Sequence, residues 1–100
     1  MRIFTSMQRA RIHERTQIDN FIVDRVTDAY EALVNADDVE GYRKHMLDAM
    51  AQLDLPMIVP PEERPTAVDQ MKVLAIQSIA KQKGWTYLRV QRWVEDATRP

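Results

Sequence analysis

The stretch "SIAKQKGWTYLRVQRWVED", residues 78–96, decides how this chain folds at its C-terminal end. It brings together Gly84, both tryptophans and the cations Lys81, Lys83, Arg89 and Arg92. Glycine enters the left-handed backbone conformation at little cost, so Gly84 is placed to stop the helix before it. Thr86 then offers a side-chain oxygen to the orphan N–H groups of a last helix running to about Ala97. Two readings of this corner remain open. Either Gln91 and Arg92 are presented outward to a partner, or the corner is simply the last packed hairpin of a small helical domain.

Working back from the corner, Thr66 and Asp69 resemble a capping box with Asp in place of Glu or Gln. They predict a helix to about Lys83 with Val68, Met71, Leu74, Ala75 and Ile79 on its apolar side. Before it, "LPMIVPPEERP" (55–65) holds four of the five prolines. Proline lacks a backbone donor and disfavours helix in its predecessor, so an extended linker is expected there. A helix over about 38–53 places Val39, Tyr42, Met46, Met50 and Leu53 on one face. In "NADD" (35–38), Asn35 is expected to end one helix and Asp37 or Asp38 to cap the next.

From Ser6 to about Val34 the sequence permits helix throughout. Ile18, Ile22, Val26, Ala29 and Leu33 recur at steps of three and four, and Phe21 and Tyr30 widen that stripe. Before Ile18 the apolar pattern thins to Met7, Ala10 and Ile12 among arginines, which suits an exposed extension or a separate short helix. No segment alternates as a strand does. The expected fold is therefore all-α. A helical hairpin over 1–54 joins a second hairpin over 66–100 through the proline-rich linker 55–65.

Composition bounds what such a chain does. With 45% hydrophobic and 29% charged residues it reads as a folded domain, not a disordered tail. No apolar run approaches the ~20 residues of a membrane span, and "MRIFTSMQRARIHERTQ" has no apolar core of a secretory signal. The chain has no cysteine, which removes disulfides, thiolate metal ligands and thiol nucleophiles. That fits a reducing compartment, so a cytoplasmic location is expected.

Catalytic patterns are missing. His13 and His45 stand far apart with no ligand pair at helical spacing, so no metal is expected. Asp37, Asp38 and Glu40 suit the positive end of a helix dipole. Neither a glycine-rich phosphate loop nor a supported Ser–His–Asp order occurs. The six methionines read as adaptable core. The expectation is a protein that is not an enzyme and needs no cofactor.

Charge is unevenly spread although the net is −1. Residues 1–17 carry four arginines against Glu14, while residues 18–54 carry nine acids against Arg25, Arg43 and Lys44. Residues 70–94 hold Lys72, Lys81, Lys83, Arg89 and Arg92 with no acid. Such a run is a local electrostatic footprint that the overall balance hides.

Residues from about 76 to 95 resemble the helix-turn-helix family of DNA-binding domains. The family pattern asks for a small residue in the first helix, a turn glycine four on, and apolar residues one, six and nine beyond it. Ala80, Gly84, Trp85, Val90 and Trp93 stand at those places. The resemblance implies that Thr86, Tyr87, Gln91 and Arg92 face a DNA groove, with Arg89, Lys81 and Lys83 nearby. Arg reads guanine, Gln reads adenine, and hydroxyls suit phosphates. The chain departs from the pattern at Lys83, where the family has an apolar residue, and at Leu88, which would lie exposed on the recognition face. Glu95 and Asp96 would also lie close to phosphates. A homodimer is expected under this reading, since one unit makes few phosphate contacts.

The acidic segment supports a different expectation. Asp24, Asp28 and Glu31 lie at helical spacing on one polar face, suited to a basic groove on another protein or nucleoprotein complex. In size and absence of catalytic motif the chain is similar to small phage-encoded inhibitors, anti-CRISPR proteins among them. The alternative function is then occlusion of a host complex's nucleic-acid-binding surface.

Overall fold

Helix boundaries in this protein follow from side chains that satisfy orphan backbone groups. The structure, a computed structural model, describes residues 1–16, 18–53 and 64–99. Gln8 N–H donates to Thr5 Oγ1 at 3.1 Å, and Thr5 N–H donates to Gln8 Oε1 at 2.8 Å. This reciprocal box opens α1 (Ser6–Thr16). Asp19 Oδ1 then accepts from Phe21 N–H at 2.8 Å and opens α2 (Asn20–Ala36). The thin apolar pattern before Ile18 is thus a separate short helix.

Asp37 ends α2 in the left-handed region at φ 50°, and its N–H donates to Leu33 O. Asn35, expected to end the helix, instead lies within its last turn. Its Nδ2 donates to Met1 O at 2.9 Å, a distant partner that makes a local capping role unnecessary. Asp38 Oδ1 accepts from Gly41 N–H at 2.8 Å and caps α3 (Val39–Leu53), as the sequence suggested. The next helix, α4 (Arg64–Lys83), begins before Thr66. The expected cap at Thr66 is therefore corrected, and residues 64–65 of the predicted linker are helical. Pro65 is compatible with that start, since a first turn asks no donor of it. Residues 54–63, which hold the rest of the linker, and the side chains of Leu53 and Val68 lie outside those described. Thr86 Oγ1 accepts from Arg89 N–H at 3.2 Å and caps α5 (Tyr87–Thr98).

The described residues are all-α, with five helices and no strand. Ile18 and the α2 residues Ile22, Val26, Ala29 and Leu33 are all buried, so the stripe read from the sequence is the centre of the core. Tyr30 is buried with them, its ring edge-on to Tyr42 at 5.4 Å. Burial pushes the pKa of both hydroxyls up. Phe21 does not widen the stripe: it is 45% exposed in the first turn of α2, with the Arg25 guanidinium 5.5 Å from its ring. On α3 the inward positions are Tyr42, Met46 and Ala49, and Met50 is 44% exposed. Val39, Tyr42 and Met46 pack inward as expected, and only further along the helix does small Ala49 take the inward place expected of Met50.

Met71, Ala75, Ile76, Ile79 and Ala80 from α4 join Val90 and Val94 from α5 in the same cluster. Ile3, Phe4 and Ile12 complete it. Polar bonds stitch distant segments across this core. Ser78 Oγ donates to Ile3 O, and Gln82 Nε2 donates to Arg2 O at 2.9 Å. Arg43 Nη2 donates to Thr98 O at 3.1 Å, satisfying a carbonyl at the end of α5. The radius of gyration, 13.0 Å, is that of a compact chain of this length. Among the described residues no helix is long and apolar enough to cross a membrane.

Candidate nucleic-acid interface

Three residues, Gly84, Trp85 and Thr86, separate α4 from α5. Gly84 has φ +69°, and Trp85 N–H donates back to Ala80 O at 3.0 Å, closing the end of α4. A Cβ at Gly84 would meet no atom within 4 Å, so backbone conformation and not space calls for glycine here. Ala80 is buried where the two helices approach. Val90 and Val94 fix α5 onto the core. Trp93 packs against the core cluster as expected but is only half-buried, and it meets Trp85 edge-on at 6.2 Å. Val94 is the deeper anchor; it stands four residues from Val90 on one helix face, a spacing the sequence did offer.

The proposed contact residues differ in exposure and in what they already do. Lys81, Arg89 and Arg92 are exposed. Lys83 and Gln91 are half-buried. Thr86 is exposed, but its hydroxyl already serves as the cap of α5. Tyr87 corrects its expected outward placement: it is half-buried and packs against the core cluster. Its position three before Val90 and seven before Val94 puts it beside the inward stripe. Leu88 is 53% exposed.

Aromatic rings organise the cations. Lys83 Nζ stands 4.8 Å from the centre of the Trp85 ring and 5.6 Å from that of Trp93. The Arg89 guanidinium lies 4.0 Å from the Trp85 centroid. Lys83, where the sequence resemblance would have an apolar residue, is half-buried with its ammonium against both rings. None of Lys81, Lys83, Arg89 and Arg92 makes an ion pair among the described residues. The partial positive charge at the N-terminus of α5 adds to theirs. The acids Glu95 and Asp96 stand toward the opposite end of that helix, and Asp96 pairs with Arg99 at 3.3 Å.

One residue that the sequence did not single out joins this region. Arg2 is exposed, and its carbonyl is held by Gln82 on α4. The contact spans 80 positions, and the only trace of it in the sequence was the excess of arginine in the first segment.

The acids of α2 have a different setting. Asp24 accepts from Arg9 Nη1 at 3.0 Å, and Asp28 pairs with Arg25 at 2.6 Å. Glu31 Oε1 accepts from Ile3 N–H at 3.0 Å and lies 3.9 Å from Arg9. Of the two histidines, His13 Nδ1 donates to Ile18 O at 2.6 Å and His45 is half-buried on α3. Among the described residues no three His, Asp or Glu side chains converge as a metal site would require. Compared with protein-family models, curated proteins and solved structures, the chain finds no match in any of the three.

Proposed function

We propose that this protein is a non-enzymatic DNA-binding protein in which α4 and α5 act as a helix-turn-helix, with the first turns of α5 directed at a groove. The observation that carries this reading is that Lys81, Lys83, Arg89 and Arg92, on the two helices that meet at Gly84, make no ion pair among the described residues, with Lys83 and Arg89 gathered on the Trp85 ring. Cations not engaged in ion pairs remain available to phosphates, and the counterion release on that contact supplies most non-specific affinity. Arg92 is the candidate for guanine and Gln91 for adenine, while exposed Leu88 suits a thymine methyl. Glu95 and Asp96 would be repelled by phosphates, which favours an approach led by the N-terminal end of α5. Pairing of two copies would double the few contacts that one unit makes.

Occlusion of a basic groove through Asp24, Asp28 and Glu31 is the weaker reading, because those carboxylates already serve Arg9, Arg25 and the Ile3 backbone. The test is fluorescence anisotropy of mixed-sequence duplexes at low salt. Affinity should fall with a log–log slope of about 0.9 per phosphate contact as salt rises. An absence of binding to any duplex below millimolar protein would end the proposal.

A further inference from the structure

A cavity of about 780 Å³ lies between α1 and the first half of α4, away from the corner just described. Its apolar lining comes from Phe4 and Ile12 on one side and Val73 and Leu74 on the other. Arg11 and Arg15 also line it, one helical turn apart and on the same face as Ile12. Both arginines are exposed and neither makes an ion pair among the described residues; Arg11 has only a weak contact to Met7 Sδ at 3.7 Å. Val73 is 40% exposed, so apolar surface is left uncovered in the groove that the two guanidinium groups line.

We infer that this groove binds a medium-chain aliphatic carboxylate, with the head group on Arg11 and Arg15 and the chain along Phe4, Ile12, Val73 and Leu74. Guanidinium forks match a carboxylate in shape as well as charge, which an apolar groove alone would not select. The volume falls in the range of small-molecule sites, roughly 300–1,000 Å³. The lining runs about 10 Å along α1, from residue 8 to 15, and about 12 Å along α4, from 69 to 77, at the usual helical rise. A docking helix is itself about 10–12 Å across and needs a longer trough, whereas an extended alkyl chain fits this length. Asp69 also lines the groove and reduces its positive charge, so a monoanion is favoured over a dianion. The site uses residues of α4 ahead of the corner, and its occupancy is measured without DNA.

The experiment titrates decanoate into the full chain, with calorimetry for affinity and amide NMR for location. Decanol serves as the neutral chain of equal length. Saturable one-to-one binding is expected, with a Kd on the order of 10–100 µM from the efficiency of small ligands. Shifts should be confined to Phe4, α1 and residues 69–77. The double variant Arg11→Gln/Arg15→Gln should bind decanoate roughly tenfold or more weakly, as loss of charged hydrogen bonds implies, and decanol unchanged. If that variant does not fold, Arg11→Lys/Arg15→Lys replaces it; it keeps the charge without the fork and should bind about threefold more weakly. Four outcomes overturn the inference. These are no saturable decanoate binding below millimolar, decanol binding equally well, substitution of the arginines without effect, and shifts centred elsewhere.

Discussion

The acidic face of α2 and the basic corner of α4 and α5 treat charge in opposite ways. On α2, Asp24, Asp28 and Glu31 spend their charge on Arg9, Arg25 and the Ile3 backbone. At the corner, Lys83 and Arg89 are held by the rings of Trp85 and Trp93. The local energies are similar: about 0.2–1 kcal/mol for an exposed ion pair and about 0.5–1 kcal/mol for an exposed cation–ring contact. The long-range consequence differs. An ion pair is neutral a few ångströms away, whereas a cation on a ring keeps its full charge for a partner. Two charged surfaces of equal local stability are thus unequal as binding sites, and sequence counts of acids and bases do not separate them.

The strongest way to break this contrast is to reverse the α2 acids. Asp24→Lys, Asp28→Lys and Glu31→Lys together should destabilise the fold by about 2–4 kcal/mol. Two partly exposed ion pairs become repulsions, and the Ile3 amide loses its acceptor at a cost of about 1 kcal/mol. Urea unfolding followed by tryptophan fluorescence measures this. A change below 0.5 kcal/mol, the usual size for free surface charges, would show that the acids are available to a partner after all.

Next in size, Arg92→Ala should weaken duplex binding by roughly 1–3 kcal/mol and leave the unfolding midpoint almost unchanged. Arg92 is exposed and makes no ion pair among the described residues. If the same substitution destabilised the fold and left anisotropy titrations alone, the corner would be structural and the distinction between the regions would collapse.

What the sequence disclosed follows from the range of the interactions involved. Ile22, Val26, Ala29 and Leu33 were legible because a helix repeats its burial every three or four residues. Gly84 and Thr86 were legible because turn and cap chemistry is local. Ile3 and Phe4 were not, for they enter the core from a non-helical segment and carry no period. Phe21 and Met50 misled for a related reason: apolar character marks a candidate, but phase against a neighbouring helix decides burial. The ring–cation stack needs the fold of the turn, since neither Lys83 nor Arg89 is adjacent to Trp85 in sequence.

Gly84→Ala sharpens the corner's side of the contrast. The site has room for a methyl, so the cost is the left-handed conformation alone, about 1–2 kcal/mol. Thermal unfolding should show that loss. A neutral result would mean that α5 relaxes to another angle, and duplex binding would then fall although no cation had been removed.

The smallest effect is the most discriminating. Trp85→Leu keeps an apolar side chain at the turn and removes the ring under Lys83 and Arg89. Stability should fall by about 1 kcal/mol, from lost cation–ring and ring–ring contacts. Every charge at the corner survives, so the salt dependence of duplex binding should keep its slope, which counts phosphate contacts. Affinity should nonetheless drop by about 0.5–1 kcal/mol, because two long side chains regain rotamer freedom that binding must then remove. Arg89→Ala makes the paired measurement, since it removes a charge and should reduce the slope itself. Equal slopes in both variants would mean that Arg89 never reaches a phosphate. An unchanged affinity in Trp85→Leu would mean that the rings hold the fold together but do not prepare its cations for DNA.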